Sequence, residues 1–142
     1  MDTALSVSRY HPSDADIVAL LSREVCGLSA VYRYGSAGGP YERADSDIDL
    51  AILADHALSH EQRLDLMTRL AKATCRDIDL NDLRTLPLTL RVQIVMEGVR
   101  LYARDRTAAE LYDTHTLSDY VRLNEERAGI LADVRARGSI YG

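Results

Sequence analysis

The sequence predicts a mixed α/β (α+β) fold: a β-sheet of about four strands with flanking helices and a C-terminal helical segment. Three observations carry this. Short β-prone runs alternate with helical patterns in the order α-β-loop-β-α-β-α-β-α. The 142 residues suit one domain with one core. No internal repeat, linker or low-complexity stretch divides the chain, so residues 1–142 read as one domain, with a core of about 13–102 and a helical extension of about 107–142.

The first helix is expected over Ser13–Leu28, with Ser13 as N-cap and Ile17, Leu20, Leu21, Val25 and Leu28 at helical spacing. Asp14 and Asp16 read as a solvated first turn, where acids favour the positive end of the helix dipole. Ala30–Tyr34 is a β-prone run that stops at Gly35. Ser36–Ser46 holds Gly38, Gly39, Pro40 and Asp45 and reads as loop. Ile48–Leu53 is the second strand. Ser59 and Gln62 form a capping-box pattern ahead of a helix with Leu64, Met67, Leu70 and Ala71 along its apolar stripe. Asp77–Leu83 is the third strand. Pro87 opens a helix to about Glu97 that Gly98 ends, and Val99–Tyr102 is the fourth strand. Thr107 with Glu110 caps a last helical region reaching roughly Arg135.

The composition narrows the function class. No stretch approaches the roughly 20 apolar residues that span a bilayer. Met1–Tyr10 lacks a basic region followed by an apolar run, so a secretory signal is not expected. Cys26 and Cys75 make neither a disulfide framework nor a zinc site, and the expectation is a cytoplasmic protein with two reduced thiols. The net charge of −5 argues against direct nucleic-acid binding and suits a site that gathers carboxylates around cations. His11, His56, His60 and His115 are scattered without a metal-ligand spacing. Tyr102, Tyr112, Tyr120 and Tyr141 read as packing or interface residues.

The informative segment is Tyr34-Gly35-Ser36, ten residues, then Asp47-Ile48-Asp49-Leu50-Ala51-Ile52-Leu53. Residues two apart on a strand share a face, so Asp47 and Asp49 stand together while Ile48, Leu50 and Ile52 face the core. Adjacent carboxylates repel and raise each other's pKa, and a divalent cation removes that cost. Oxygen ligands alone suit magnesium, which binds one or two carboxylates together with substrate phosphates. Asp-x-Asp by itself is weak evidence in so acidic a chain, because Asp14/Asp16, Asp45/Asp47 and Asp77/Asp79 share the spacing. Gly35-Ser36 by itself reads more readily as an ordinary strand-to-loop turn than as a phosphate contact.

The combination of Gly35-Ser36, ten residues and Asp47-x-Asp49 resembles the signature of the nucleotidyltransferase superfamily built on the DNA polymerase β palm, in its minimal form. The resemblance continues through Ile78-Asp79-Leu80-Asn81-Asp82-Leu83, through Glu97-Gly98 and through Val99-Arg100-Leu101-Tyr102. It covers residues 31–102 well and 107–142 more loosely, where Tyr120 and Arg137-Gly138-Ser139-Ile140-Tyr141-Gly142 look like the MntA-type antitoxins of HEPN–MNT toxin–antitoxin pairs. The chain departs from the pattern at Gly39 and Pro40, where many relatives carry a basic residue and glycine, and Arg43 is the candidate substitute.

The resemblance implies that Asp47, Asp49 and Asp79 are the catalytic residues and the ligands of two Mg2+ ions, for which Mn2+ can stand in. It implies nucleotide contacts from Gly35, Ser36, Arg43 and Ser46. By strand parity Asp77 shares the face of Asp79, as support or at the site's edge, while Asp82 points the other way as a surface or capping residue. The implied activity is transfer of AMP from ATP to a tyrosine hydroxyl of a partner HEPN ribonuclease toxin, which silences it. The alternatives are a transferase acting on a small-molecule hydroxyl, such as that of an antibiotic, and an antitoxin that masks its partner sterically.

Overall fold

The computed structural model describes residues 13–35 and 47–137. In chain order they form α1 (Asp14–Glu24), β1 (Leu28–Tyr34), β2 (Ile48–Ala54), α2 (His60–Thr74), β3 (Ile78–Asp82), α3 (Leu88–Glu97), β4 (Val99–Ala103) and α4 (Arg106–Ala136). The four strands form one sheet in the order β3-β2-β1-β4. β1 is antiparallel to β2 and to β4, and β2 is parallel to β3 through the connection that carries α2.

Alternation along the strands sorts side chains into two layers. On one face Ile48, Leu50 and Ile52 of β2 join Val31, Ile78 and Leu80 under Ile17, Leu20 and Leu21 of α1 and Leu66 and Leu70 of α2. On the other, Ala30, Tyr32, Ala51 and Leu83 meet Ile94 of α3, with Tyr112 of α4 packed against them. Every strand of the expected sheet is present, and the order of elements is the one the periodicity gives. The Ser59–Gln62 capping box forms in both directions. Gly98 follows the last residue of α3, where a Cβ would press on the carbonyl oxygens of Ile94 and Arg33.

Several boundaries and placements differ from the sequence reading. α1 stops at Glu24 and Leu28 already belongs to β1, because Gly27, at φ +71°, turns the chain before the expected end of the helix. Ser13 sits at the N-cap but its side chain makes no capping bond. Asp105, not Thr107, caps α4, accepting from the Ala108 N–H at 3.2 Å. Asp77 precedes β3 rather than opening it.

Asp14 is not solvated: it is buried and ion-paired with Arg33 of β1, whose Nε and Nη2 donate to its two oxygens at 2.9 and 3.2 Å. Asp82 does face away from Asp79, yet it is buried. It caps in place of lying on the surface, accepting from the Leu58 N–H at 2.7 Å and the Arg84 N–H at 2.9 Å. Cys26 and Cys75 are free and exposed. Among the described residues, no helix is long and apolar enough to cross a membrane. Beyond Val121 the described part of α4 is mostly exposed, including Ile130, Leu131 and Val134.

Candidate active site

At one end of the sheet the antiparallel pairing brings Tyr34 opposite Asp49, and the parallel pairing puts Asp49 opposite Asp79. A row of Tyr34, Asp49 and Asp79 therefore crosses β1, β2 and β3 on the same face, with neighbouring strands about 4.8 Å apart. Ile48 and Leu50, on either side of Asp49, are fully buried and anchor it from below. Asp47 lies just before β2 and is exposed.

The electrostatics of this row are those of crowded like charges. The Asp49 carboxyl is held above the usual carboxylate range, first by burial and then by the negative charges of Asp79 and Asp47. Tyr34 is pushed up as well, chiefly by burial; the hydrogen bond from Asn81 opposes the rise, while Asp79 and Asp49 add to it. Gly35 takes φ +73°, and a Cβ there would collide with the Asp49 carboxylate. Glycine is thus required twice, for the left-handed turn and for close passage of the backbone past the acid.

Residues without an assigned role in the sequence reading complete the cluster. Asn81 Nδ2 donates to the Tyr34 hydroxyl at 2.7 Å and to Asp79 Oδ2 at 3.1 Å. Tyr34 pairs with Asp49 and Asn81 with Ala51, so the Asn81–Tyr34 bond runs diagonally across β2. Arg63, in the first part of α2, donates from Nε to the Leu80 carbonyl and brings Nη2 to 3.7 Å from Asp79 Oδ1. Asp79 is half-exposed and steadied from both sides. Strand parity could have flagged Asn81, two residues past Asp79, and the rung opposite Asp49 could have flagged Tyr34; for Arg63 no sequence signal exists.

The structure thus brings Asp49, Asp79 and Gly35 together and places Asp47 close enough for its charge to act on Asp49. Ser36, Arg43 and Ser46, and the Gly39-Pro40 departure, lie outside the described residues. Asp77 is exposed and gives its carbonyl oxygen to the Ile48 N–H at 2.9 Å, so its main chain helps to align β2 with β3. Among the described residues no three His, Cys, Asp or Glu side chains form a ready-made metal cage. The fit to a hard cation comes from the donor chemistry: oxygen ligands only, mutually repelling, with one carboxyl raised by burial and by its acid neighbours.

Comparison with known proteins adds four findings. The family described as polymerase beta, nucleotidyltransferase matches residues 15–107. The chain is 36% identical over 120 residues to the protein adenylyltransferase MntA of Shewanella oneidensis, covering 84% of this chain and 86% of the relative. A crystal structure of a toxin–antitoxin with AMP-PNP is 34% identical, with a TM-score of 0.75 over 86% of this chain and 98% of that one. A structure of the tri-AMPylated Shewanella oneidensis HEPN toxin in complex with its MNT antitoxin is 34% identical, with a TM-score of 0.70 over 87% of this chain and 96% of that one.

Proposed function

This chain belongs to the polymerase beta family of nucleotidyltransferases, and from that membership we propose that it is the antitoxin of a HEPN–MNT pair, an adenylyltransferase that moves AMP from ATP to a tyrosine hydroxyl of its partner HEPN toxin. The observation that carries the reading is the Asp49–Asp79 rung with Gly35 packed against it, in a chain that matches MntA over most of both lengths. Residues 13–102 are taken as the catalytic core and 107–142 as a helical extension of the same domain. Such a pair works in the cytoplasm, where the free thiols of Cys26 and Cys75 stay reduced.

In the reaction the acceptor hydroxyl oxygen forms a bond to the α-phosphorus of ATP. The bond from that phosphorus to the oxygen bridging to the β-phosphate breaks, pyrophosphate leaves, and the phenolic proton is released. Asp47, Asp49 and Asp79 are the residues that would hold divalent metal. Magnesium, or manganese in its place, supplies charge neutralisation for the triphosphate and lowers the pKa of an acceptor hydroxyl. Gly35 lets the backbone pass close to the Asp49 carboxylate, and Ser36, Arg43 and Ser46 are assigned to the phosphates of the triphosphate. Asn81 and Arg63 keep the Asp79 carboxylate aimed at the site. Tyr34, raised by burial and its acid neighbours, stays protonated and offers a hydroxyl hydrogen beside them.

The test uses labelled ATP, magnesium and a cognate HEPN toxin. The wild type labels the toxin on tyrosine. The Asp47→Asn, Asp49→Asn double variant loses at least about 10²-fold in transfer, about 2.7 kcal/mol of transition-state stabilisation. A double variant that folds, binds the toxin and still fully rescues growth would instead establish a steric antitoxin.

A further inference from the structure

The end of the sheet remote from the carboxylates holds a cavity of about 440 Å³ among the end of β2, the β3–α3 turn, the first part of α3 and α4. Its mouth is basic. Arg84 and Arg91 line it, and Arg104 stands beside it with Nη2 at 3.3 Å from Ser29 Oγ. Asp55 is the acidic residue in the lining, and it is engaged by Arg104 at 3.4 Å. Across this cavity and the recess that continues it, three guanidinium groups meet two carboxylates, Asp55 and Asp105, in a chain whose net charge is −5.

The first two arginines are set as a receptor sets them. Arg84 spends Nε on the Ala54 carbonyl at 2.7 Å, and Arg91 spends Nε on the Leu86 carbonyl at 3.2 Å. Each plane is fixed by a main-chain acceptor while the outer nitrogens stay available. Neither side chain pairs with a carboxylate among the described residues, whereas Arg33, Arg69 and Arg100 all do. A fixed, unspent guanidinium fork matches the oxygens of a phosphate or a carboxylate.

Inward, the lining changes character. A narrower recess of about 110 Å³ shares Ser29, Leu53 and Tyr112 with the outer cavity and continues between Ala30, Ala108 and Ala109. At the junction, the Tyr112 hydroxyl is buried and has no hydrogen-bond partner among the described residues. Buried polar groups are nearly always satisfied, so a hydroxyl left open between two connected cavities marks a place where a ligand oxygen can sit. From Asp49 to Ala54 along β2 is about 17 Å, so this pocket is not part of the carboxylate site.

We propose that this pocket binds a small organic anion, its phosphate or carboxylate head on Arg84 and Arg91 and its apolar body in the recess beside Tyr112. The probes are phenyl phosphate, benzoate and uncharged benzyl alcohol, added to the full chain in chelator so that nucleotide and metal do not load the other end. NMR should show phenyl phosphate or benzoate shifting the amides of Leu53, Ala108 and Ala109, with benzyl alcohol at least about tenfold weaker. The tighter of the two anions identifies the head group. Arg84→Gln with Arg91→Gln should weaken binding at least about tenfold. Should that pair unfold the chain, Tyr112→Phe carries the test: it keeps the ring, should raise the Tm of the free protein, and should weaken the anion several-fold. The proposal is overturned if neither anion binds below about 10 mM, if benzyl alcohol binds equally well, if the shifts fall at Gly35 and Asp49, or if Tyr112→Phe binds like the wild type.

Discussion

Asp14 and Arg33 lie beneath one face of the sheet as a buried pair of opposite charges, whereas Asp49 and Asp79 stand on the other face as neighbours of the same charge. The two arrangements draw on adjacent residues of β1, since Arg33 points down to α1 and Tyr34 points up to the acids. In the first, each charge has its counter-charge within the fold, so removing one strands the other in a medium that solvates it poorly. In the second, burial first and then the like charges of Asp79 and Asp47 hold the Asp49 carboxyl above the usual carboxylate range. Raised carboxyls of this kind cluster at functional sites, whereas the Asp14–Arg33 pair belongs to the fold.

The comparison can be broken most sharply at Asp14. Asp14→Ala leaves the Arg33 guanidinium buried without its carboxylate and should cost about 3–5 kcal/mol in urea unfolding. A loss under about 1 kcal/mol would mean that the pair is no more than a surface ion pair in its energetics.

Asp49→Asn should behave oppositely. It should abolish transfer yet leave stability at neutral pH unchanged or higher, because it removes the repelled charge. The sign follows from linkage. With its folded pKa above the unfolded value, Asp49 binds more protons folded than unfolded in the window between the two, so its ionisation lowers stability as pH rises through that window. The wild type should lose stability there relative to Asp49→Asn, and urea midpoints of both proteins from acid to neutral pH would show it. The smallest expected effect is at Asn81. Asn81→Ala frees Asp79 and the Tyr34 hydroxyl, and transfer should fall about tenfold, about 1.4 kcal/mol, with kcat changing more than KM.

The same contrast explains what could be read from the sequence. Strand alternation gave β2 its two faces, so Ile48, Leu50 and Ile52 as core and Asp49 on the opposite face follow from a period of two. The capping box of α2 and the stop at Gly98 are local signals and were legible for that reason. The Asp14–Arg33 pair was not legible, because an acid in a first helical turn looks solvated until the strand that covers it is known. Nor does local pattern reveal that Asp82 is buried, since its two amide donors come from Leu58 and Arg84 in different connections. The rung that joins Asp49 to Asp79 depends on the pairing of β2 with β3, which periodicity does not fix; only the family resemblance anticipated their association.

Asp82 has a consequence of its own. Its two carboxylate oxygens are committed to main-chain amides on either side, one in the approach to α2 and one in the turn leaving β3. Neither amide can lose its bond without leaving a buried carboxylate oxygen unsatisfied, so the two connections are riveted and open to solvent as one cooperative unit. An inserted residue in either connection should therefore be felt in the other.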